Sequence, residues 1–138
     1  MVAGRAVADM RGLGRDLIHR FKYQGDTPLA RSWGALAAMC CEATEIRVDA
    51  VTAVPLHPFR WLWRGYNQSR LIAKDVASRL DLPLVDCLRR VKYTRPQATL
   101  PRERRARNLN GVFSVRRKDF VEGRDILLVD DVLTTGST

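Results

Sequence analysis

Two carboxylates leave one apolar run together. "ILLVDD" places Asp130 and Asp131 directly after Ile126 to Val129. Adjacent like charges repel, and neither is easily buried without a partner. Capping a following helix would need one aspartate, not two. A pair suits a cation, or the neighbouring 2′ and 3′ hydroxyls of a ribose, because ionised carboxylates only accept hydrogen bonds. Thr134, Thr135, Gly136, Ser137 and Thr138 follow closely. They offer hydroxyls and consecutive backbone N–H groups, and Gly136 lets the chain turn and approach a ligand. At a helix N-terminus such a loop cradles phosphate. Acids for a diol, then a cradle for a phosphoryl group, describe a ribose 5-phosphate site. A Walker B strand would read similarly, but the chain lacks the G-x-x-x-x-G-K-[ST] loop that accompanies it. A receiver-domain acidic pocket would leave the hydroxyl run without a purpose.

These groups need elements to hold them. Leu13, Leu17 and Phe21, with Ile18 beside them, predict an amphipathic helix over about residues 10 to 23, stopped at Gly25. Leu29, Trp33, Leu36 and Cys40 mark a second. "AVTAV", Ala50 to Val54, reads as a strand buried on both faces and closed by Pro55. Asn67 is placed to cap a helix carrying Ile72, Val76 and Leu80, which stops near Pro83. Strands are also expected at Leu84 to Val91, where a short helix fits too, at Val112 to Val115 and at Ile126 to Val129. Strands alternating with helices predict an α/β domain with a mainly parallel sheet. Ligands of such sheets sit beyond the carboxyl ends of the strands, here after Val54 and Val129.

The chain has 138 residues and 46% hydrophobic composition, enough for one domain with a core. No uninterrupted apolar stretch at the N-terminus suggests a signal peptide, and "WGALAAMCC" is too short to span a bilayer. A soluble, cytoplasmic protein is expected. Cys40, Cys41 and Cys87 show no metal-binding spacing and read as free thiols in a reducing compartment. The net charge of +9 is concentrated. Residues 87 to 118 hold eleven lysines and arginines against one acid, Glu103. This points to an anionic ligand or partner. Within that stretch Arg102 to Arg107 is polar all round. It reads equally as a solvated surface helix or as a mobile cover whose arginines meet an anion on closing.

"PFRWLWRGYNQ" interleaves Phe59, Trp61, Trp63 and Tyr66 with Arg60 and Arg64. Packing of a loop against the core is the first expectation, and stacking on single-stranded nucleic acid the second. His57 stands at a strand tip as a loop-fixing hydrogen-bond partner before a catalyst. Lys22 and Asp26 read equally as a helix-ending ion pair or as functional members of the piece "FKYQGD".

"ILLVDDVLTTGST" resembles the signature of type I phosphoribosyltransferases. "FKYQGD" (21–26), "VPLHPFRWLWRGYNQS" (54–69), "TRPQATL" (94–100) and "RRARNLNGVF" (104–113) are similar to the ComF branch, which is tied to DNA uptake in competence. The resemblance covers nearly the whole chain. It implies one phosphoribosyltransferase-like domain over 1–138: N-terminal helices in 1–48, then a core in 49–138 of twisted, mainly parallel sheet flanked by helices. A flexible basic hood at about 93–111 belongs to that core. Members of the fold continue through a helix and a further strand after the phosphate loop, so the sequence reads as truncated there.

The resemblance also implies roles. Asp130 and Asp131 hold the ribose of 5-phosphoribosyl 1-diphosphate, directly or through magnesium and water. Thr134 to Thr138 wrap its 5-phosphate. Pro55, Leu56 and His57 form the diphosphate loop. Arg64, Arg95, Arg104 and Arg105 are anion candidates around the hood. The implied activity is phosphoribosyl transfer to an acceptor that the sequence does not name. Thr134 stands where purine-salvage members often carry an aspartate base, so 6-oxopurine salvage of that type is not expected. The other expectation is a non-catalytic accessory of the DNA-uptake machinery that binds single-stranded DNA through the basic segment.

Overall fold

The computed structural model describes residues 4–8, 11–92 and 111–132. The described elements are α1 (Leu13–Tyr23), α2 (Leu29–Ala43), β1 (Ala50–Ala53), α3 (Pro58–Arg64), α4 (Gln68–Arg79), β2 (Leu88–Arg90), β3 (Phe113–Val115), α5 (Lys118–Val121) and β4 (Ile126–Val129). The architecture is α/β, with helices packed against a small parallel sheet.

β1 and β4 pair in parallel, with Ala50 opposite Ile126 and Ala53 opposite Val129. All four residues of β1 are buried, as its unbroken run of small and apolar residues demands. On the other side of β1, Leu84 makes a parallel bridge to Val51. The core joins Phe21 and Ile18 of α1 and Trp33 of α2 to Ile72, Ala73 and Val76 of α4, Val51 of β1 and Val129 of β4. α2 and α4 pack closely because Gly34 carries no side chain. A Cβ there would stand 2.6 Å from the Asp75 Cβ.

The sequence predicted one strand from Leu84 to Val91, and the structure divides it. Leu84 continues the parallel arrangement, whereas β2 turns away and pairs antiparallel with β3, Leu88 opposite Val115 and Arg90 opposite Phe113. Cys87 marks the change. Its N–H reaches the Thr52 hydroxyl at 3.3 Å, and its carbonyl accepts from Arg116 N–H. β2 and β3 lie on either side, in sequence, of the stretch expected as a hood. The hood at about 93–111 otherwise lies outside the described residues, Gly111 excepted.

A second difference is α3, where a loop was expected. Its start and stop are locally encoded. His57 Nδ1 accepts from Phe59 N–H, Pro58 fills the first helical position, and Gly65 ends the helix in the left-handed region at φ 78°. Cys41 and Cys87 are buried free thiols and Cys40 is half-buried; burial pushes the Cys41 thiol up. Among the described residues no helix is long and apolar enough to cross a membrane.

Candidate functional site

The parallel register sets the site. Because Ala53 lies opposite Val129, the chain leaves β1 and β4 at the same edge of the sheet. Val54 N–H donates to the Val129 carbonyl at 3.0 Å and ties the two exits together. One exit leads into Pro55, Leu56 and His57, and the other into Asp130 and Asp131. The predicted diphosphate loop and the predicted acidic pair are therefore neighbours.

The start of α4 supports both exits. Asn67 accepts from Arg70 N–H as the helix cap, while its Nδ2 donates to the Val54 carbonyl at 3.0 Å. Two residues on, Ser69 donates its hydroxyl to Asp130 Oδ1 at 2.9 Å. The same oxygen accepts the Asp131 N–H at 2.8 Å. Gln68 and Ser69 are buried although both are polar, which fixes this turn of helix beneath the acids.

Asp131 has a different partner. Lys22 Nζ lies 2.9 Å from Asp131 Oδ2, with side-chain exposures of 21% and 12%. The helix-ending pair foreseen between Lys22 and Asp26 is not formed, since Asp26 is taken by Arg20 at 2.7 Å. Arg20 lies one helical turn from Asp26's loop, while Lys22 points across to β4. Lys22 is held in place by its neighbours. Phe21 is fully buried and its carbonyl accepts from the Tyr66 hydroxyl, while Tyr23 meets Trp63 edge-on and lies under the Arg64 guanidinium. "FKYQGD" and "RGYNQS" thus form one contact surface behind the acids.

The two carboxyls are electrostatically unequal. Asp130 remains accessible to solvent, yet the protein packed behind it disfavours its ionised form. That desolvation, with the Asp131 charge second, pushes its carboxyl up to about 6 against the pull of the Asp131 N–H, Ser69 and Lys22. Arg90 of β2 is drawn down, first by burial and then by the nearby Arg60 of α3, while Asp130 opposes the shift. Asp131 is thus paired with Lys22, while Asp130 lies within electrostatic reach of Arg90.

Two hollows adjoin this edge. A cavity of about 90 Å³ is lined by Asp130, Asp131, Val132, Trp33 and Ile18 together with residues 5–8. That holds a few waters, not a phosphorylated pentose. A groove of about 380 Å³ opens beside the predicted diphosphate loop, between Pro55, Leu56, Trp61, Asn67, Arg70 and Arg116. This lies in the range of small-molecule sites.

Arg64, expected as an anion contact, is turned inward, with Nη1 3.3 Å from Gln68 Oε1 and its guanidinium on Tyr23. Thr134, Thr135, Gly136, Ser137 and Thr138 lie outside the described residues, as do Arg95, Arg104 and Arg105. The aromatics of α3 do not pack inward as first expected: Phe59, Trp61 and Trp63 are 70%, 55% and 73% exposed. Lys22, Ser69, Arg60 and Arg90 were not foreseen at the site. Ser69 had a local signal, a small hydroxyl two residues past a capping asparagine. Lys22 had none, because its partner lies at the other end of the chain.

Asp130, Asp131 and the Ser69 hydroxyl are hard oxygen donors of the kind magnesium takes. Magnesium keeps waters and uses one or two carboxylates plus substrate phosphates. Among the described residues no cluster of three or more His, Cys, Asp or Glu could enclose a metal. The donor set fits an ion shared with a phosphorylated ligand.

The phosphoribosyl transferase domain family matches residues 67–138, from the Asn67 cap through the acids to the end of the chain. Competence protein F of Haemophilus influenzae is 38% identical over 129 residues, covering 88% of this chain and 56% of that protein. DNA utilization protein YhgH of Escherichia coli K12 is 31% identical over 138 residues, covering 96% and 60%. Competence protein ComFC of Bacillus subtilis is 24% identical over 135 residues, covering 97% and 53%. The chain thus spans somewhat over half the length of these relatives. No solved structure matches it.

Proposed function

Because the chain belongs to the phosphoribosyl transferase domain family, in its ComF branch, we propose that it binds 5-phosphoribosyl 1-diphosphate with magnesium and transfers the phosphoribosyl group to an acceptor. One observation carries this reading. The accessible Asp130, supported by Ser69, leaves β4 beside the loop that leaves β1. Carboxylates there suit the ribose diol, and Pro55 to His57 suit the diphosphate.

In this reading the acceptor attacks ribose C1 as the C1–oxygen bond to diphosphate breaks, so positive charge develops on the ring and negative charge on the leaving group. Magnesium, when bound, neutralises part of the diphosphate charge. Asp130 and Asp131 orient the ring, and Arg90, close enough to couple to Asp130, adds positive potential to the site.

Calorimetric titration with 5-phosphoribosyl 1-diphosphate tests it. Binding is expected with magnesium, and Asp130→Asn with Asp131→Asn together should weaken it at least about a hundredfold, the loss of two charge-assisted contacts. Unchanged affinity in the double variant would sink the assignment.

The exposed Phe59, Trp61 and Trp63 beside Arg60 favour a second reading, a surface on which single-stranded DNA stacks, in line with the names of the relatives. Fluorescence anisotropy with an oligonucleotide should then show Trp61→Ala with Trp63→Ala weakening binding at least about tenfold, at one base-stacking contact each. Equal affinity removes this reading.

A further inference from the structure

We propose that Lys22 is the resting counter-cation of the acidic pair, holding Asp131 until a divalent cation displaces it. The inference rests on the sugar-diphosphate reading of the site and adds a cation exchange to it. Two adjacent carboxylates repel, and a largely covered one needs a compensating charge. Lys22 supplies it at 2.9 Å, with both side chains mostly removed from solvent.

Asp130 is held otherwise, by the Ser69 hydroxyl and the Asp131 N–H, and stays open to solvent. The ligand-free site is thus asymmetric, with one acid neutralised and one available. The backbone of α1 is anchored by the buried Phe21 and its bond to Tyr66, so Lys22 answers a change of charge by moving its side chain alone. An ammonium suits this exchange better than a guanidinium, being a point charge on a flexible stem with no paired geometry to break. A bare divalent ion must compete with Lys22 for Asp131, whereas an ion delivered with a diphosphate brings an anion to which the released ammonium can turn. The pair therefore favours cations that arrive with substrate over free ones.

Manganese alone is the probe, and free manganese is followed by electron paramagnetic resonance in the full chain. Lys22→Gln should bind it at least about tenfold more tightly than the unaltered protein, and Lys22→Arg should not. No gain in Lys22→Gln, or an equal gain in Lys22→Arg, overturns the proposal. Removing one partner of a covered ion pair can prevent folding, so a second measurement uses the unaltered chain. Acetylation of Lys22, read by mass spectrometry, should quicken several-fold when manganese is saturating, and an unchanged rate overturns the exchange. Failure of 5-phosphoribosyl 1-diphosphate to bind would refute the sugar-phosphate reading alone, because neither manganese measurement uses it.

Discussion

The two strand pairs of this molecule differ in almost every respect. β1 and β4 are parallel, β1 is wholly buried, and both strands end in the residues that could do chemistry. β2 and β3 are antiparallel, only partly covered, and carry Arg89 and Arg90 with Val115 46% exposed. β1 controls position, since packing on both its faces leaves its exit, and the β4 exit tied to it through Val54, no freedom to shift. The open pair contributes potential: Arg89 is exposed to water, while the half-buried Arg90 carries its charge towards Arg60 and Asp130. Placing the two tasks on separate pairs keeps a dense cluster of positive charge out of the core.

One substitution made in both places exposes the contrast most sharply. Val51→Asp puts a charge among apolar neighbours and should cost more than about 4 kcal/mol, a large share of the stability of a domain this size. Val115→Asp, at a partly exposed position, should stay within about 1 kcal/mol. Urea unfolding midpoints compare them, and similar losses at the two sites would erase the division of labour.

A smaller effect is the pH dependence that the buried pair places at its own edge. Between about pH 4 and 6 the folded chain keeps a proton on Asp130 that the unfolded chain has released. Stability should therefore rise as pH falls through 6 towards 4, by on the order of 1 kcal/mol once screening at the open face is included. Asp130→Asn should remove that part of the slope in urea titrations at stepped pH. A slope identical in both proteins would place its origin elsewhere.

The buried half was the more legible in the sequence. Ala50 to Val54 and Ile126 to Val129 stand out as short apolar runs, and the three long helices as periodic ones, because burial writes itself into local composition. Asn67 was readable as a cap, though not as a link to Val54. α3 was missed because exposed aromatics and arginines have no apolar period, even though Pro58 and Gly65 mark its ends. The break between Leu84 and β2 depends on which neighbour each residue finds, and no residue type encodes that. The Lys22–Asp131 contact joins the first helix to the last strand, so only the folded chain reveals it.

Gly34 extends the reach of the site well beyond its contacts. A methyl group at that position would meet Asp75 and push on α4, the helix whose first turn supports Asp130 and the exit of β1. A genetic screen for inactive variants should thus recover position 34 alongside the aspartates themselves. A map of tolerated residues would show a hotspot there, on α2, a helix that carries neither acid.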